Sequence, residues 1–178
     1  MKAFLAKMSG GGVVPPRASA REVVVAWLGS CIAIGLIALL ERSIAGDSGS
    51  PLLIGSFGAS AVLAFGAARS PLAQPRNMVG GHFLSALVGV SSAMLIPDIT
   101  WLASCLAVAT AIAVMLLSKT LHPPGGATAL IAVIGGEGIR ELGWTYAFVP
   151  CLCGALILLL VALVVNNIPR HQCWPLFW

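Results

Sequence analysis

Apolar positions gather along the chain into six stretches, and most charged residues lie between them. The stretches cover residues 23–40, 51–68, 77–97, 99–118, 120–136 and 142–169. A helix needs about 20 apolar residues to cross the hydrocarbon core of a membrane, with a range of about 17–25. The first, third, fourth and sixth stretches are therefore predicted to span a membrane, whereas the second and fifth are marginal.

Two prolines interrupt the fifth stretch at Pro123 and Pro124. Because proline disfavours helical geometry in the residue before it, a helix is predicted to begin at the prolines and to end near Gly135 and Gly136. Such a helix is roughly 20 Å long at about 1.5 Å per residue, which is shorter than a hydrocarbon core of about 30 Å. The element is either a half-helix completed by extended chain or a re-entrant loop, and its backbone must be buried in protein or face a water-filled cavity.

One short pattern occurs twice within these marginal stretches. Residues 58–63 read GASAVL and residues 126–131 read GATALI, and a helix breaker precedes each copy. Small residues let helices approach closely, and a helix that begins inside a membrane has unsatisfied N–H groups at its start. Two such elements in corresponding halves of a chain are typical of a transporter built from repeats, with a site between them.

The composition indicates a membrane protein. Of 178 residues, 58% are apolar and 9% are charged, and the mean hydropathy is +0.98. A soluble domain carries about 25% charged residues. The length suits one domain, and no run of basic residues with interleaved aromatics predicts a nucleic-acid partner.

The placement of the basic residues favours six crossings over four. With six crossings and a cytoplasmic N-terminus, eight basic residues lie inside, namely Lys2, Lys7, Arg17, Arg21, Arg69, Arg76, Lys119 and Arg170, and two lie outside, Arg42 and Arg140. With four crossings the division is five to five. Three segments in each half would then make the second half inverted relative to the first.

The predicted fold is therefore an all-α membrane protein of six transmembrane or half-spanning helices, in two inverted three-segment repeats with broken second and fifth elements. A cytoplasmic arm covers residues 1–20 and the transmembrane domain covers residues 21–170. Its repeats cover about 21–97 and about 98–170, and a tail follows at residues 171–178. Aromatic residues near segment ends are predicted interfacial anchors: Trp27, Trp101, Trp144, Tyr146 and Trp174.

Two motifs, SPLAQPRN at residues 70–77 and LHPPGGATAL at residues 121–130, closely resemble the HPP family of integral membrane proteins. The family takes its name from a His-Pro-Pro sequence, here residues 122–124, and the resemblance runs from about residue 21 to residue 167. Members in cyanobacteria and chloroplasts are regarded as nitrite transporters, so the resemblance implies transport. The family is commonly described as having four membrane helices, which differs from the six predicted here.

The candidate substrate site lies between the two predicted helix starts, where N–H groups and the helix dipole favour an anion. A histidine at membrane depth is costly and functional by default. The predicted substrate-binding residues are Ser56, Phe57, Gly58, Ala59, Ser60, Arg76, Asn77, His122, Pro123, Pro124, Gly125, Gly126, Ala127 and Thr128. The possible path-lining residues are His82, Ser85 and Lys119.

Several of these residues have a plain structural alternative. Gly58 and Ala59 equally suit tight helix packing. The alternative for His122 is a position at the membrane interface, where it caps the end of a neighbouring helix. Arg76 can form a fork around a small anion, bind a lipid phosphate or satisfy backbone carbonyls. For Lys119, an orientation signal competes with a substrate funnel.

The function predicted from this set is transport of a small inorganic anion, with nitrite as the substrate implied by the resemblance. The alternatives are a channel-like facilitator and a structural or assembly protein without transport. We expect no enzyme, cofactor or metal, since no reactive constellation and no metal-spaced cluster stands out. Membrane lipid and a second copy of the chain are expected partners, in a bacterial inner membrane with both termini cytoplasmic.

Overall fold

A computed structural model of the chain describes residues 7–8, 12, 14, 16–45, 53–169 and 173–178. These residues form seven α-helices and no strand. The helices are α1 (Ala20–Ala45), α2 (Ser56–Ala61), α3 (Pro75–Leu95), α4 (Thr100–Leu117), α5 (Pro123–Ile134), α6 (Glu137–Leu142) and α7 (Gly154–Val165). A π-helical turn at Val62–Gly66 continues α2, another at Ala147–Cys153 leads into α7, and a 3-10 turn at Pro71–Ala73 precedes α3.

Among the described residues, four helical segments are long and apolar enough to cross a membrane, as the hydrophobic pattern predicts. They are Ala20–Ser43, Pro75–Leu95, Thr100–Leu117 and Ala147–Val165. Two apolar helices are shorter, Ser56–Gly66 and Pro123–Ile134. The 12 residues of α5 extend about 18 Å at about 1.5 Å per residue, so this helix alone does not cover a core of about 30 Å. The predicted shortness of the second and fifth elements is confirmed.

Local sequence explains where the helices begin. Ser19 and Glu22 form a reciprocal capping box at the start of α1, with Ser19 N–H donating to Glu22 Oε2 at 2.7 Å and Glu22 N–H donating to Ser19 Oγ at 3.3 Å. Proline occupies the first turn of both α3 and α5, where its missing N–H costs nothing. Gln74 and His122, the residues before these two helices, have an extended backbone. Helix α5 therefore begins at Pro123, as predicted.

The short helices α2 and α5 lie side by side and run in opposite directions. Ser56, at the start of α2, contacts Thr128 in the second turn of α5, whereas Ser60 contacts His122 just before α5 begins. Helix α3 runs parallel to α5, because Gly81 contacts His122 and Gly89 contacts Ala129. Polar side chains of α2, α3 and α5 therefore meet inside the bundle.

One end of the bundle carries most of the described basic side chains. A cavity of about 710 Å³ at this end is lined by Arg21, Arg69 and Pro169 among others. The Arg76 guanidinium donates to the Ser118 carbonyl at 3.0 Å, beside the exposed Lys119. We call this the basic end.

The C-terminal residues also lie at the basic end. The Trp174 indole N–H donates to the Ala68 carbonyl at 3.1 Å, and the Leu176 N–H donates to Gln74 Oε1 at 2.8 Å. Trp174 is buried rather than an exposed interfacial anchor. The described start of the chain and its described C-terminal residues therefore share one end of the bundle. Most of the predicted arm, and residues 170–172, lie outside the described residues.

Candidate functional site

Five polar side chains form a connected cluster in the middle of the bundle. All five are completely buried: Ser56, Ser60, His82, His122 and Thr128. We call them the imidazole–hydroxyl cluster. Burying polar groups is costly unless they are hydrogen bonded, and each member of this cluster has at least one partner in it.

The imidazole of His82 lies between the two repeated motifs. Its Nε2 atom is 2.6 Å from Ser60 Oγ, and its Nδ1 atom is 2.7 Å from Thr128 Oγ1. Ser60 and Thr128 hold the same third position in GASAVL and GATALI. The repeat thus supplies one hydroxyl to each nitrogen of a single histidine. His82 was predicted only as a path-lining residue, but it occupies the centre of the cluster.

His122 joins the cluster to the backbone of the loop before α3. Its Nε2 atom is 2.9 Å from Ser60 Oγ, and its Nδ1 atom is 2.8 Å from the Leu72 carbonyl oxygen. The 3-10 turn at Pro71–Ala73 presents that carbonyl. The two imidazole rings are edge to face, with centroids 5.1 Å apart. His122 therefore packs inside the protein rather than at a lipid interface.

Aromatic rings enclose the cluster. Phe57 packs edge to face against His82, with ring centroids 5.1 Å apart. The Tyr146 hydroxyl donates to the Thr128 carbonyl at 2.9 Å, and Tyr146 is fully buried. The prediction that Tyr146 is an interfacial anchor is wrong, because the chain between α6 and α7 turns this side chain inward.

Glycines make the packing around the cluster tight. A Cβ atom on Gly125 would lie 2.7 Å from Ser85 Oγ and 2.9 Å from Met115 Sδ. A Cβ atom on Gly81 would lie 2.5 Å from the His122 Cβ. Each of these distances is too short for a real Cβ atom, so both positions need glycine.

The amides at the helix starts are not bare, contrary to the expectation from the sequence. The Gly125 N–H donates to the His122 carbonyl at 2.8 Å, and the two prolines before it have no N–H. In α2, the Phe57 and Gly58 N–H groups donate to the carbonyls of residues 54 and 55. The donors presented inside the protein are therefore hydroxyl and imidazole groups rather than backbone amides.

The other predicted site residues fall into inward and outward groups. Asn77, Gly81 and Ser85 share the buried face of α3, and Asn77 Nδ2–H donates to the Leu121 carbonyl at 2.8 Å. Asn77 Oδ1 and Ser85 Oγ are buried without a partner among the described residues.

The outward group includes Gly58, Ala59 and Pro123, which are exposed. Gly126 and Ala127 are half-buried, and Pro124 is buried in α5. A Cβ atom on Gly58 would meet nothing within 4 Å. Gly58 therefore permits no close helix crossing with any described residue, which was one of its two predicted roles.

Arg76 and Lys119 lie at the basic end, away from the cluster. Arg76 is exposed and satisfies the carbonyl of Ser118 at the end of α4, so the backbone alternative for this residue is the one observed. Lys119 is exposed with a positive φ of 57°. Across the described ranges, no group of three His, Cys, Asp or Glu side chains is placed to hold a metal ion.

Comparison with known proteins places the chain in a family. It matches the family described as "HPP, transmembrane region" over residues 15–175. It is 48% identical over 167 residues to a transmembrane protein of Dictyostelium discoideum, covering 92% of this chain and 58% of the relative. A second transmembrane protein of that organism is 47% identical over 178 residues, with 98% and 57% covered. The chain spans less than three fifths of the length of these relatives, and no solved structure matches it.

These relatives do not support the expected bacterial inner membrane, because both come from Dictyostelium. Both relatives are named transmembrane proteins, which agrees with the membrane-length helices of this chain. The chain therefore belongs to the HPP family of integral membrane proteins.

Proposed function

We propose that this chain transports a small inorganic anion across a membrane, with nitrite as the substrate that the family resemblance implies. The observation that carries the proposal is the buried imidazole–hydroxyl cluster between two helices too short to span. Polar groups at membrane depth are expensive and mark substrate or ion paths. Interrupted helices at a repeat interface are the usual location of a transporter's site.

The charges of the described residues favour an anion over a cation. The cluster consists of imidazole and hydroxyl groups and contains no carboxylate to balance a metal cation or an ammonium ion. At the basic end, Arg21 and Arg69 line the cavity of about 710 Å³ together with Glu22. Positive charge at the mouth of a cleft raises the local concentration of anions.

Within this proposal, the anion binds to side-chain donors instead of helix-start amides. Ser56, Ser60, Thr128 and His122 supply hydroxyl and imidazole N–H groups that can turn toward an anion. Asn77 Oδ1 and Ser85 Oγ have no hydrogen-bond partner among the described residues. Water can supply hydrogen bonds to these two atoms as the site opens. The tight glycine contacts correspond to a closed conformation, so access requires α2 to move relative to α3 and α5.

We further propose six crossings in two inverted triplets. Helices α2 and α5 run in opposite directions, and their motif hydroxyls contact the same imidazole, as an inverted repeat requires. Arg69 shares a cavity with Arg21, whereas Arg140 lines a cavity with Pro97 and Gly143 at the opposite end. With the basic end in the cytoplasm, this arrangement follows the positive-inside rule.

The oligomer is also part of the proposal. Gly58 and Ala59 are exposed on α2, and Val62, one turn later, is 68% exposed. Small exposed residues at this spacing suit close approach by a helix of a second copy. Blue-native electrophoresis of wild type and Gly58→Leu tests this arrangement, and a Gly58→Leu protein that migrates as wild type would contradict it.

Nitrite uptake into proteoliposomes tests the proposed function. Thr128→Val keeps the shape of the side chain but removes the hydroxyl, so His82 Nδ1 and Ser56 Oγ lose a partner. We expect uptake to fall about tenfold or more, because an unsatisfied buried polar group costs about 1–3 kcal/mol and about 1.4 kcal/mol is tenfold. The matched control is Thr110→Val, at an exposed position of α4, which should keep wild-type uptake.

Two further measurements separate the alternatives. Counterflow of labelled nitrite distinguishes a carrier, which exchanges, from a channel-like facilitator, which does not. A structural or assembly protein would show no uptake above protein-free liposomes and no thermal stabilisation by nitrite. Equal uptake by Thr128→Val and Thr110→Val would remove the cluster from the transport path.

A further inference from the structure

The hydrogen bonds of the imidazole–hydroxyl cluster constrain where its hydrogens lie. The Leu72 carbonyl can only accept, so the His122 Nδ1 atom 2.8 Å away must carry a hydrogen. If the His122 ring is neutral, its Nε2 atom is then bare and can only accept. Ser60 Oγ lies 2.9 Å from that atom and must donate to it.

The number of hydrogens on Ser60 determines the next hydrogen bond. A serine hydroxyl has one hydrogen, so Ser60 cannot also donate to His82 Nε2, which lies 2.6 Å away. His82 Nε2 must therefore donate to Ser60, which leaves His82 Nδ1 bare and accepting from Thr128 Oγ1 at 2.7 Å. With both rings neutral, only this arrangement makes all four hydrogen bonds.

One added proton changes this arrangement in two equivalent ways. If His82 holds it, both His82 nitrogens donate and Ser60 still donates to His122. If His122 holds it, His122 Nε2 donates to Ser60 and Ser60 donates to His82. The two forms differ only by the hydrogens on either side of Ser60 Oγ: the hydroxyl gives its hydrogen to one ring and receives one from the other. No atom or electron is gained or lost in this exchange.

We propose that Ser60 relays a proton between His82 and His122, and that one proton crosses the membrane with each anion. Beyond His82, the path continues at Thr128, whose hydroxyl is 2.9 Å from Ser56 Oγ and 3.2 Å from the Pro124 carbonyl. When His82 Nδ1 donates to Thr128, the Thr128 hydrogen can turn to either of these acceptors. Ser56 is then the described group through which a proton enters or leaves at this side of the cluster.

The relay has a direction relative to the membrane. His122 lies beside the 3-10 turn of the loop that leads from the basic end, whereas Thr128 is six residues further along α5, about 9 Å at about 1.5 Å per residue. Movement of the proton between the two ends of the relay therefore carries it through about a third of the hydrocarbon core, which is about 30 Å thick.

The surroundings offer no competing charge among the described residues. Helix α2 contributes serines and Phe57, and α5 contributes Thr128. The segment before α7 contributes Tyr146, with Cys151 beside it. Arg76 and Lys119 are exposed at the basic end, where Arg76 donates to the Ser118 carbonyl. An imidazolium in the cluster is therefore unpaired until an anion arrives.

This pairing couples the proton to the anion, and the coupling rests on the proposed function. A buried charge is costly unless it is paired, so an imidazolium and a small anion stabilise each other in the cluster. Entry of one proton with one monovalent anion moves no net charge. The inferred transport is therefore electroneutral, with a stoichiometry of one to one.

The hydrogen arrangement is testable without any transport. We would record nitrogen NMR spectra of the protein in lipid bilayers with ¹⁵N-labelled histidine, in a His171→Gln background, with His82→Gln to assign the signals. The expected result at mildly alkaline pH is His122 protonated at Nδ1 and His82 protonated at Nε2. The same tautomer on both rings, or His122 protonated at Nε2 alone, would overturn the relay even if nitrite uptake is normal.

The coupling is tested by measuring nitrite and proton entry together in proteoliposomes containing a pH-sensitive dye. At mildly alkaline pH, little undissociated nitrous acid leaks through lipid, and protein-free liposomes give the background. We expect one proton per nitrite and no effect of a membrane potential set with valinomycin. Ser60→Ala should lower both fluxes about 100-fold, and Ser60→Thr should restore them. The matched control is Ser91→Ala, which should match wild type, because the Ser91 hydroxyl donates to the Leu87 carbonyl outside the cluster.

The outcomes separate the two proposals. Nitrite uptake without proton entry in the wild type would overturn the coupling and leave the proposed function intact. Normal coupled fluxes in Ser60→Ala would overturn the relay. If the wild type takes up no nitrite, the proposed function fails, and the tautomers of His82 and His122 decide the relay independently.

Discussion

Gly81 and His122 lie so close together that no side chain fits between them: a Cβ atom on Gly81 would be 2.5 Å from the His122 Cβ atom. It would also be 3.0 Å from the Thr120 carbonyl oxygen, which is backbone and cannot easily move. The position of the His122 ring beside Ser60 therefore depends on the absence of a side chain one helix away.

Gly81→Ala should consequently both destabilise the protein and reduce transport. Overpacking of a well-packed core typically costs about 1–3 kcal/mol. The displaced His122 ring also loses its hydrogen bond with Ser60 Oγ. We expect a lower melting temperature in detergent and a several-fold lower rate of nitrite uptake. The matched control is Gly35→Ala in α1, where a Cβ atom would meet nothing within 4 Å. Equal melting temperatures for the two variants would contradict this account of Gly81.

A second close contact joins Phe57 to Gly154. A Cβ atom on Gly154 would clash with the Phe57 Cζ atom, so Gly154→Ala displaces the ring that packs against His82. We expect Gly154→Ala to lower the melting temperature strongly, and Phe57→Leu to reverse part of that loss because the smaller side chain makes room. The double-mutant cycle measures this coupling directly. Additive losses would show that the two positions do not interact.

The sequence predicted the broad pattern of helices because hydrophobic length and proline placement are local signals. Local residue types explain the four spans found among the described residues, the short α2 and α5 segments and the start of α5 at Pro123. The hydroxyls of Ser60 and Thr128 could be singled out because they hold the same position in a repeated motif. The structure brings both of them to one histidine.

The parts that could not be predicted depend on helix rotation and on long-range packing. His82 lies on a helix that is apolar on most sides, so the sequence does not tell which neighbour its ring meets. Tyr146 shares its position near a segment end with true interfacial aromatics, and only the fold turns it toward the Thr128 carbonyl. The Leu72 carbonyl carries no side-chain signal, although it determines which His122 nitrogen must hold a hydrogen.

Two exposed arginines, Arg69 in the loop between α2 and α3 and Arg76 in the first turn of α3, should differ in effect. Arg69 lines the cavity at the basic end, whereas Arg76 donates to the Ser118 carbonyl. If the cavity attracts the anion, Arg69→Gln should raise the half-saturating nitrite concentration about twofold to fivefold at low salt, and added salt should reduce this difference. Arg76→Gln should change the half-saturating nitrite concentration less than about twofold. The reverse order would place the anion's approach at Arg76, as one sequence-based hypothesis had it.

Accessibility of single cysteines distinguishes six crossings from four. In the six-crossing arrangement, Arg69 and Arg140 lie on opposite sides of the membrane, whereas in the four-crossing arrangement both lie outside. Both positions are exposed, so Arg69→Cys and Arg140→Cys should react with a membrane-impermeant maleimide if the reagent reaches their side. The background must lack the five native cysteines, all of which are free thiols.

For cells or sealed vesicles of one orientation, six crossings predict that only one of the two cysteines is labelled before permeabilisation and that both are labelled afterwards. Lys119→Cys should follow Arg69→Cys, because Arg76 holds the Ser118 carbonyl at the basic end. Labelling of both Arg69→Cys and Arg140→Cys from one side would favour four crossings. The half-length helices α2 and α5 would then be re-entrant.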